Sequence, residues 1–247
     1  MIDELQSRMD RVLREVEQEE SWKFLYEPTT TAAEIEQFLS EVFLRVFWYQ
    51  PHTTEAGFHM IGRLPKTEGR LLRSLLTHKA EEAEHGGWAF RDYVALGGCE
   101  KTACERKLTP ACFAVAAVWW QMAEKEEPFG YLGAEYLFEE LTARVCAKLV
   151  PLFHEKGVCS EKIGFIVEHA TEDLKHSKLI RHWISKVETR FPHSRAAMLR
   201  CFDYFNHVYP IPVWREAYDA VLVQPKGDFG GLACSGPKAP APYPEHI

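Results

Sequence analysis

Residues 166–180 read IVEHATEDLKHSKLI, which sets His169, Asp173 and His176 four and three residues apart among apolar neighbours. Those are the steps of one helix face. At 100° per residue the three side chains fall within about 60° of one another, and Ile166 and Ile180 bracket them on the same seam. A packed seam is normally apolar, because burying one carboxylate or imidazole without a partner costs several kcal/mol. The stretch therefore predicts a buried helix whose inward face carries ionisable groups.

Two further seams break in the same way. A long helix is expected over 67–96, opened by Pro65 and closed by Gly97-Gly98, with the seam Leu71, Leu75, His78, Glu82, His85, Ala89. A helix restarted by Pro128 and reaching about Phe153 has the seam Leu132, Glu135, Glu139, Thr142, Cys146, flanked by Leu137, Phe138 and Leu141. Six or more buried ionisable groups on three helices need something to neutralise them. A pair of divalent cations supplies four positive charges against three carboxylates and three neutral imidazoles, and a mixed oxygen and nitrogen set suits iron or manganese better than structural zinc. The candidate ligands are Glu82, His85, Glu135, His169, Asp173 and His176. Glu81 is also within a turn of His85 and is an alternative to Glu82. His78 and Glu139 are further candidates, His78 as a ligand or as a hydrogen-bonding group behind one.

The remainder of the chain is helical in pattern. Ile2, Leu5, Met9, Val12 and Val16 mark an amphipathic first helix. Thr31 with Glu34 makes a capping box for a helix expected to stop near Gln50-Pro51, and a shorter helix is expected over 55–63. Thr109-Pro110 opens a helix through Glu126, Ser160 caps the helix carrying the first motif to about Arg190, and two pieces follow over 193–208 and 212–223. No stretch alternates with the period of a strand. The reading is a single all-α domain of seven or eight helices over 1–223, with a Gly- and Pro-rich stretch, 224–247, expected to be disordered or loosely packed.

Composition narrows the function classes. Across 247 residues the formal net charge is -7, and no Lys/Arg cluster suited to neutralising phosphates is present, which argues against nucleic acid. The stretch 1–20 is charged and lacks the apolar core of a signal peptide. The longest apolar run, 111–120, is half the roughly 20 residues of a membrane span. A cytoplasmic protein away from the membrane is expected. The seven cysteines show no metal-binding spacing and read as scattered reduced thiols.

The pattern Glu82-x-x-His85, then Glu135, then His169-x-x-x-Asp173-x-x-His176 resembles the ligand pattern of the heme-oxygenase-like di-iron oxidases, over the stretch 67–190. The resemblance implies a seven-helix heme-oxygenase-like bundle without heme, binding two Fe(II), with Mn as an alternative, and using O2 as co-substrate. One iron would take Glu82 and His85 with one histidine of the last motif. The other would take Asp173 and the remaining histidine, and Glu135 would bridge. The same resemblance implies an external reductant and oxidation of a small amine- or carboxylate-bearing metabolite, an amino acid being favoured, in bacterial-type secondary metabolism. The reactions it brings are C–C or C–N cleavage, desaturation and N-oxygenation, and in that family they include oxidative decarboxylation of fatty acids to alkenes, amino-acid fragmentation and p-aminobenzoate formation. N-oxygenases of that family carry an extra carboxylate ligand, for which Glu81 and Glu139 are the candidates here.

Trp119, Trp120, Phe113 and Phe138 are candidate pocket walls, and Arg91 or Arg181 could hold a substrate carboxylate. Two rival readings follow from the same residues. A metal-free hydrolase resembling thiaminase II, or a cofactor synthase of that fold, would need a reactive thiol such as Cys112 or Cys146. A non-enzymatic interaction protein would use the stripe Ile2, Leu5, Met9, Val12, which otherwise docks on the bundle or on a second copy in a homodimer.

Overall fold

The structure, a computed structural model, describes residues 1–105 and 107–222. The stretch 224–247, with Val223, lies outside the described residues. The described residues form α-helices and short 3-10 turns, with no strand among them: α1 (Ile2–Gln18), α2 (Glu20–Tyr26), α3 (Ala32–Gly62), α4 (Gly69–Glu82), α5 (His85–Ala95), α6 (Glu100–Cys104), α7 (Pro110–Lys125), α8 (Tyr131–Lys156), α9 (Gly164–Arg190), α10 (Ser194–Val208) and α11 (Ile211–Leu222). The all-α bundle is as expected. The additional elements are the short α2 and α6 and the division of one expected helix into α4 and α5.

Local signals account for many of the boundaries. Thr31 and Glu34 close the capping box of α3, the Thr31 amide donating to Glu34 Oε2 at 2.9 Å. Thr109 caps α7, which begins at Pro110. Gly97 and Gly157 hold φ of 92° and 80° after α5 and α8, a conformation that disfavours residues with a Cβ. Ser160 does not cap α9. It begins a 3-10 turn, Ser160–Lys162, that leads into the helix.

Two expected breaks fall elsewhere. Helix α3 runs through Pro51 to Gly62 rather than stopping at Gln50. The proline forfeits one ladder bond, at about 3 kcal/mol. Packing against α5, α7 and α11 along the length of α3 offsets that loss. Conversely, the helix expected over 67–96 breaks between Glu82 and His85. There Ala83 and Glu84 donate to Ala80 and Glu81 in tightened three-residue bonds of 3.3 and 3.2 Å. Across the break His85 Nδ1 lies 3.0 Å from Glu82 Oε2.

The core centres on α8, which packs most extensively with α9 and α10. At Gly133 a Cβ would overlap the Met198 carbonyl, so glycine permits the close approach of α8 and α10. Helix α1 lays Leu5, Met9, Val12 and Val16 on α8 and α9, all of them buried. The apolar stripe is thus covered within the chain. No helix among the described residues is long and apolar enough to cross a membrane.

Candidate metal centre

Four helices bring the ionisable seams together in the interior. Helix α4 contributes His78 and Glu82, one turn apart. His85 comes from the start of α5, Glu139 from α8, and His169, Asp173 and His176 from the inner face of α9. Of these seven side chains all but His176 are essentially buried, and His176 retains 14% exposure.

The groups divide into two sets joined by Glu82. In one, His78, Glu82, Glu139 and His176 each offer a ligand atom, and these atoms all lie within 4.8 Å of one another. His78 Nε2 is 2.9 Å from Glu139 Oε1 and 3.9 Å from Glu82 Oε1. His176 Nδ1 is 3.5 Å from both Glu82 Oε1 and Glu139 Oε2, and 3.9 Å from Asp173 Oδ1. The His176 distances exceed a good hydrogen bond, and His176 Nδ1 and Glu82 Oε1 have no hydrogen-bond partner. His78 and Glu139 are hydrogen-bonded to each other, whereas these two atoms converge on the same space without a bond, an arrangement a cation can satisfy.

In the second set, His85 Nδ1 lies 3.0 Å from Glu82 Oε2 and 3.2 Å from His169 Nε2. His169 donates its Nδ1 proton to the Phe165 carbonyl at 2.5 Å, one turn back on α9. That bond leaves Nε2 as the lone-pair nitrogen facing His85, the tautomer fixing typical of histidines that bind metals. Glu82 therefore presents one carboxylate oxygen to each set.

The electrostatics fit a site built for added positive charge. Burial would raise the Glu82 carboxyl, but the His176 and His85 imidazoles beside it hold it well below the usual range. Glu139 is opposed by its burial and by Glu82, yet His78 and His176 keep it lowered. Burial works against protonating His176, but Glu139 and Glu82 raise it to about 11. His78 is likewise raised against its burial, by Glu139. His169 goes the other way. Burial and the neighbouring His85 lower it to about 4, so it is neutral at pH 7. Without metal, protons on His176 and His78 balance the carboxylates; divalent cations would replace them.

The structure places Glu82, His85, His169, Asp173 and His176 around one interior volume, together with His78 and Glu139. Glu135, the sixth candidate, is engaged by a different partner. One turn before Glu139 on α8, its carboxylate forms a buried ion pair with Lys79. Burial raises the Glu135 carboxyl, against the pull of Lys79. Glu135 and Glu139 share a face of α8, so seam position alone does not choose between them. The deciding residue is Lys79, which the sequence reading passed over. Leu75, Lys79 and Glu82 follow helical steps, and a lysine on a seam that buries leucine was the available signal. Its stem lies where a Cβ on Gly57 would meet Lys79 Cε at 2.9 Å, and its ammonium lies 5.6 Å from the Trp119 ring centre.

The remaining candidates fall outside these sets. Glu81 is 57% exposed and approaches His176 Nε2 at 3.5 Å from the surface side. Arg181 pairs with Glu140 at 2.6 Å, and Arg91 is exposed. Trp119 packs over Lys79, and Phe113 is exposed, whereas Phe138 lines an internal slot that opens onto Glu82, His85, Glu139, His169 and Asp173. Cys112 and Cys146 are buried, and burial raises both thiols, which disfavours the thiolate a nucleophile needs.

No family model matches the chain, and no curated protein matches it. Among solved structures it is similar to a domain of unknown function with a heme oxygenase-like fold from Shewanella denitrificans, known from a crystal structure. The match has a TM-score of 0.63 and 17% sequence identity, and covers 88% of this chain and 92% of that one. The bundle has a heme oxygenase-like fold. Within it lies a buried cluster of histidines and carboxylates able to bind metal ions.

Proposed function

We propose that the protein is a non-heme di-iron oxidase that activates O2 to oxidise a small carboxylate-bearing metabolite. The single observation carrying this reading is the shared carboxylate of Glu82. One of its oxygens faces His78, Glu139 and His176, and the other lies against His85, which in turn meets His169. Two Fe(II) ions, when bound, would supply the electrons that reduce O2 and the open coordination positions for it.

The chain's own residues have distinct tasks. Glu82 holds the two metal positions together, and Glu139 takes the carboxylate role that the sequence pattern gave to Glu135. His169, neutral and oriented by the Phe165 carbonyl, offers a lone pair without having to lose a proton. Phe138 and Phe165 keep water from one side of the site, which strengthens the electrostatics within it. Lys79 neutralises Glu135, so that charge does not add to those of the ligands. An external reductant would return the metals to the ferrous state between turnovers.

Oxygen consumption tests the proposal. Protein loaded anaerobically with Fe(II) and then exposed to O2 is expected to consume O2 faster than the same iron free in buffer, and Glu82→Ala to lose the excess. Equal consumption with and without protein would overturn it. Activity that needs no metal and is lost on removing Cys146 would favour the hydrolase reading instead.

A further inference from the structure

A second pocket, open to solvent and of about 630 Å³, lies between α4 and α9 and shares no residue with the internal slot. Arg70, Arg73, Ser74, Thr77 and His78 line it from α4, opposite Leu179 of α9. Those five recur at three- and four-residue steps, so one face of α4 presents two guanidiniums, two hydroxyls and an imidazole to the same space. A volume of that size suits a small organic molecule.

The donors of this wall are not used within the protein. Arg144, Arg181, Arg195 and Arg200 each close an ion pair elsewhere. Arg70 and Arg73 close none among the described residues, and the Ser74 and Thr77 hydroxyls make no hydrogen bond there. Gly69, at one end of the pocket, opens α4 without a side-chain cap, which adds the pull of a helix N-terminus on an anion.

His78 points to a ligand independently. It is 1% exposed, its Nε2 is engaged by Glu139 at 2.9 Å, and its Nδ1 has no partner. A ring whose Nε2 holds a metal carries its proton on Nδ1, and such a proton is normally given to an acceptor. The pocket is where that acceptor is missing. Glu81 is the one opposing charge on the pocket wall. It lies eight residues beyond Arg73, about 12 Å along the axis, and its carboxylate faces His176 Nε2 at 3.5 Å. The arginine end thus keeps two positive charges with no carboxylate in ion-pair contact among the described residues.

We infer that this pocket binds a phosphate dianion, free or as the monoester of a small metabolite, on Arg70, Arg73, Ser74 and Thr77, with His78 at its floor. Two forked guanidiniums and two hydroxyls exceed what the two oxygens of a carboxylate accept, whereas a phosphate offers three or four oxygens and a second negative charge. Four of the five donor residues stand outside the candidate metal ligands, so the site holds whether or not metal is bound.

The test is isothermal titration calorimetry of the metal-free chain at pH 8, where phosphate cannot bind to the metals instead. Inorganic phosphate and glycerol phosphate are each expected to bind saturably, and acetate at least about tenfold more weakly. Arg70→Gln and Arg73→Gln change exposed side chains, and each should weaken phosphate about tenfold or more. Arg91→Gln removes the same charge from an exposed position outside the pocket and should leave binding unchanged. Tighter binding of glycerol phosphate than of inorganic phosphate would assign the site to a monoester, and the reverse order to free phosphate; both uphold it. No saturable phosphate binding, acetate binding as tightly as phosphate, or equal losses in Arg91→Gln and Arg73→Gln would overturn the inference. Phosphate binding by a chain that takes up no iron would overturn the di-iron reading and leave this site standing.

Discussion

Lys79 and Glu135 form an ion pair in the interior, one helical turn from Glu139 of the candidate metal centre, with both side chains essentially inaccessible to water. Removing one partner strands a buried charge at a typical cost of about 3–5 kcal/mol. Lys79→Met is expected to destabilise the protein by that amount in urea denaturation. Lys79→Met with Glu135→Leu should recover most of it. A double variant as unstable as the single one would show that the pair is not the source of the loss.

The same pair separates two neighbouring glutamates by role. Glu139→Gln is expected to lower metal stoichiometry by at least one ion, because Glu139 lies 2.9 Å from His78 and 3.5 Å from His176. Glu135→Gln should keep full stoichiometry while losing stability. Metal analysis after gel filtration reads both. Loss of metal in Glu135→Gln with retention in Glu139→Gln would reverse the assignment.

Metal binding should depend on pH through His176. In the metal-free protein its imidazole is raised from 6.5 to about 11 by Glu139 and Glu82, against its burial. Its stabilising contribution is therefore complete below pH 6.5 and is lost as pH rises through about 11. A metal must displace that proton, so apparent affinity should climb with pH by up to about tenfold per unit. The rise in Tm produced by saturating Mn(II) should be larger at pH 8.5 than at pH 6.5, on the order of a few degrees. A rise independent of pH would contradict the role given to His176.

Asp92 offers a second pH effect. It accepts from the Phe165 amide at 2.6 Å at the start of α9, and burial pushes its carboxyl up to about 6. A carboxyl raised on folding stabilises most below its unfolded value, and that contribution is lost as pH rises through about 6. Asp92→Asn keeps an acceptor without the charge, and is expected to stabilise by about 1 kcal/mol at pH 7.5, the α9 dipole offsetting part of the gain. The benefit should vanish near pH 4. Equal thermal stability of variant and parent across this range would refute the account of Asp92.

The fold was largely legible in the sequence because spacing and caps are local signals. Thr31 with Glu34, Thr109 with Pro110, and Gly97 behave as their chemistry dictates. Pro51 and the Glu82–His85 break did not, because tertiary packing decides both. The site was legible as a set of ionisable residues on three seams, most of which the bundle buries in its interior. Its inner order was not. Whether Glu135 or Glu139 joins the imidazoles depends on Lys79 reaching across from α4, a contact between residues 56 positions apart. The slot was equally hidden, since Phe38, Leu149 and Trp214 become one wall only after folding.

The most direct test of the central claim is anaerobic titration of the metal-free protein with Fe(II), with bound iron counted in the parent and in Glu82→Ala. The account predicts about two irons per chain in the parent, and loss of both in the variant, because one oxygen of Glu82 serves each position. Specific binding of no iron by the parent, or undiminished binding by Glu82→Ala, would contradict it.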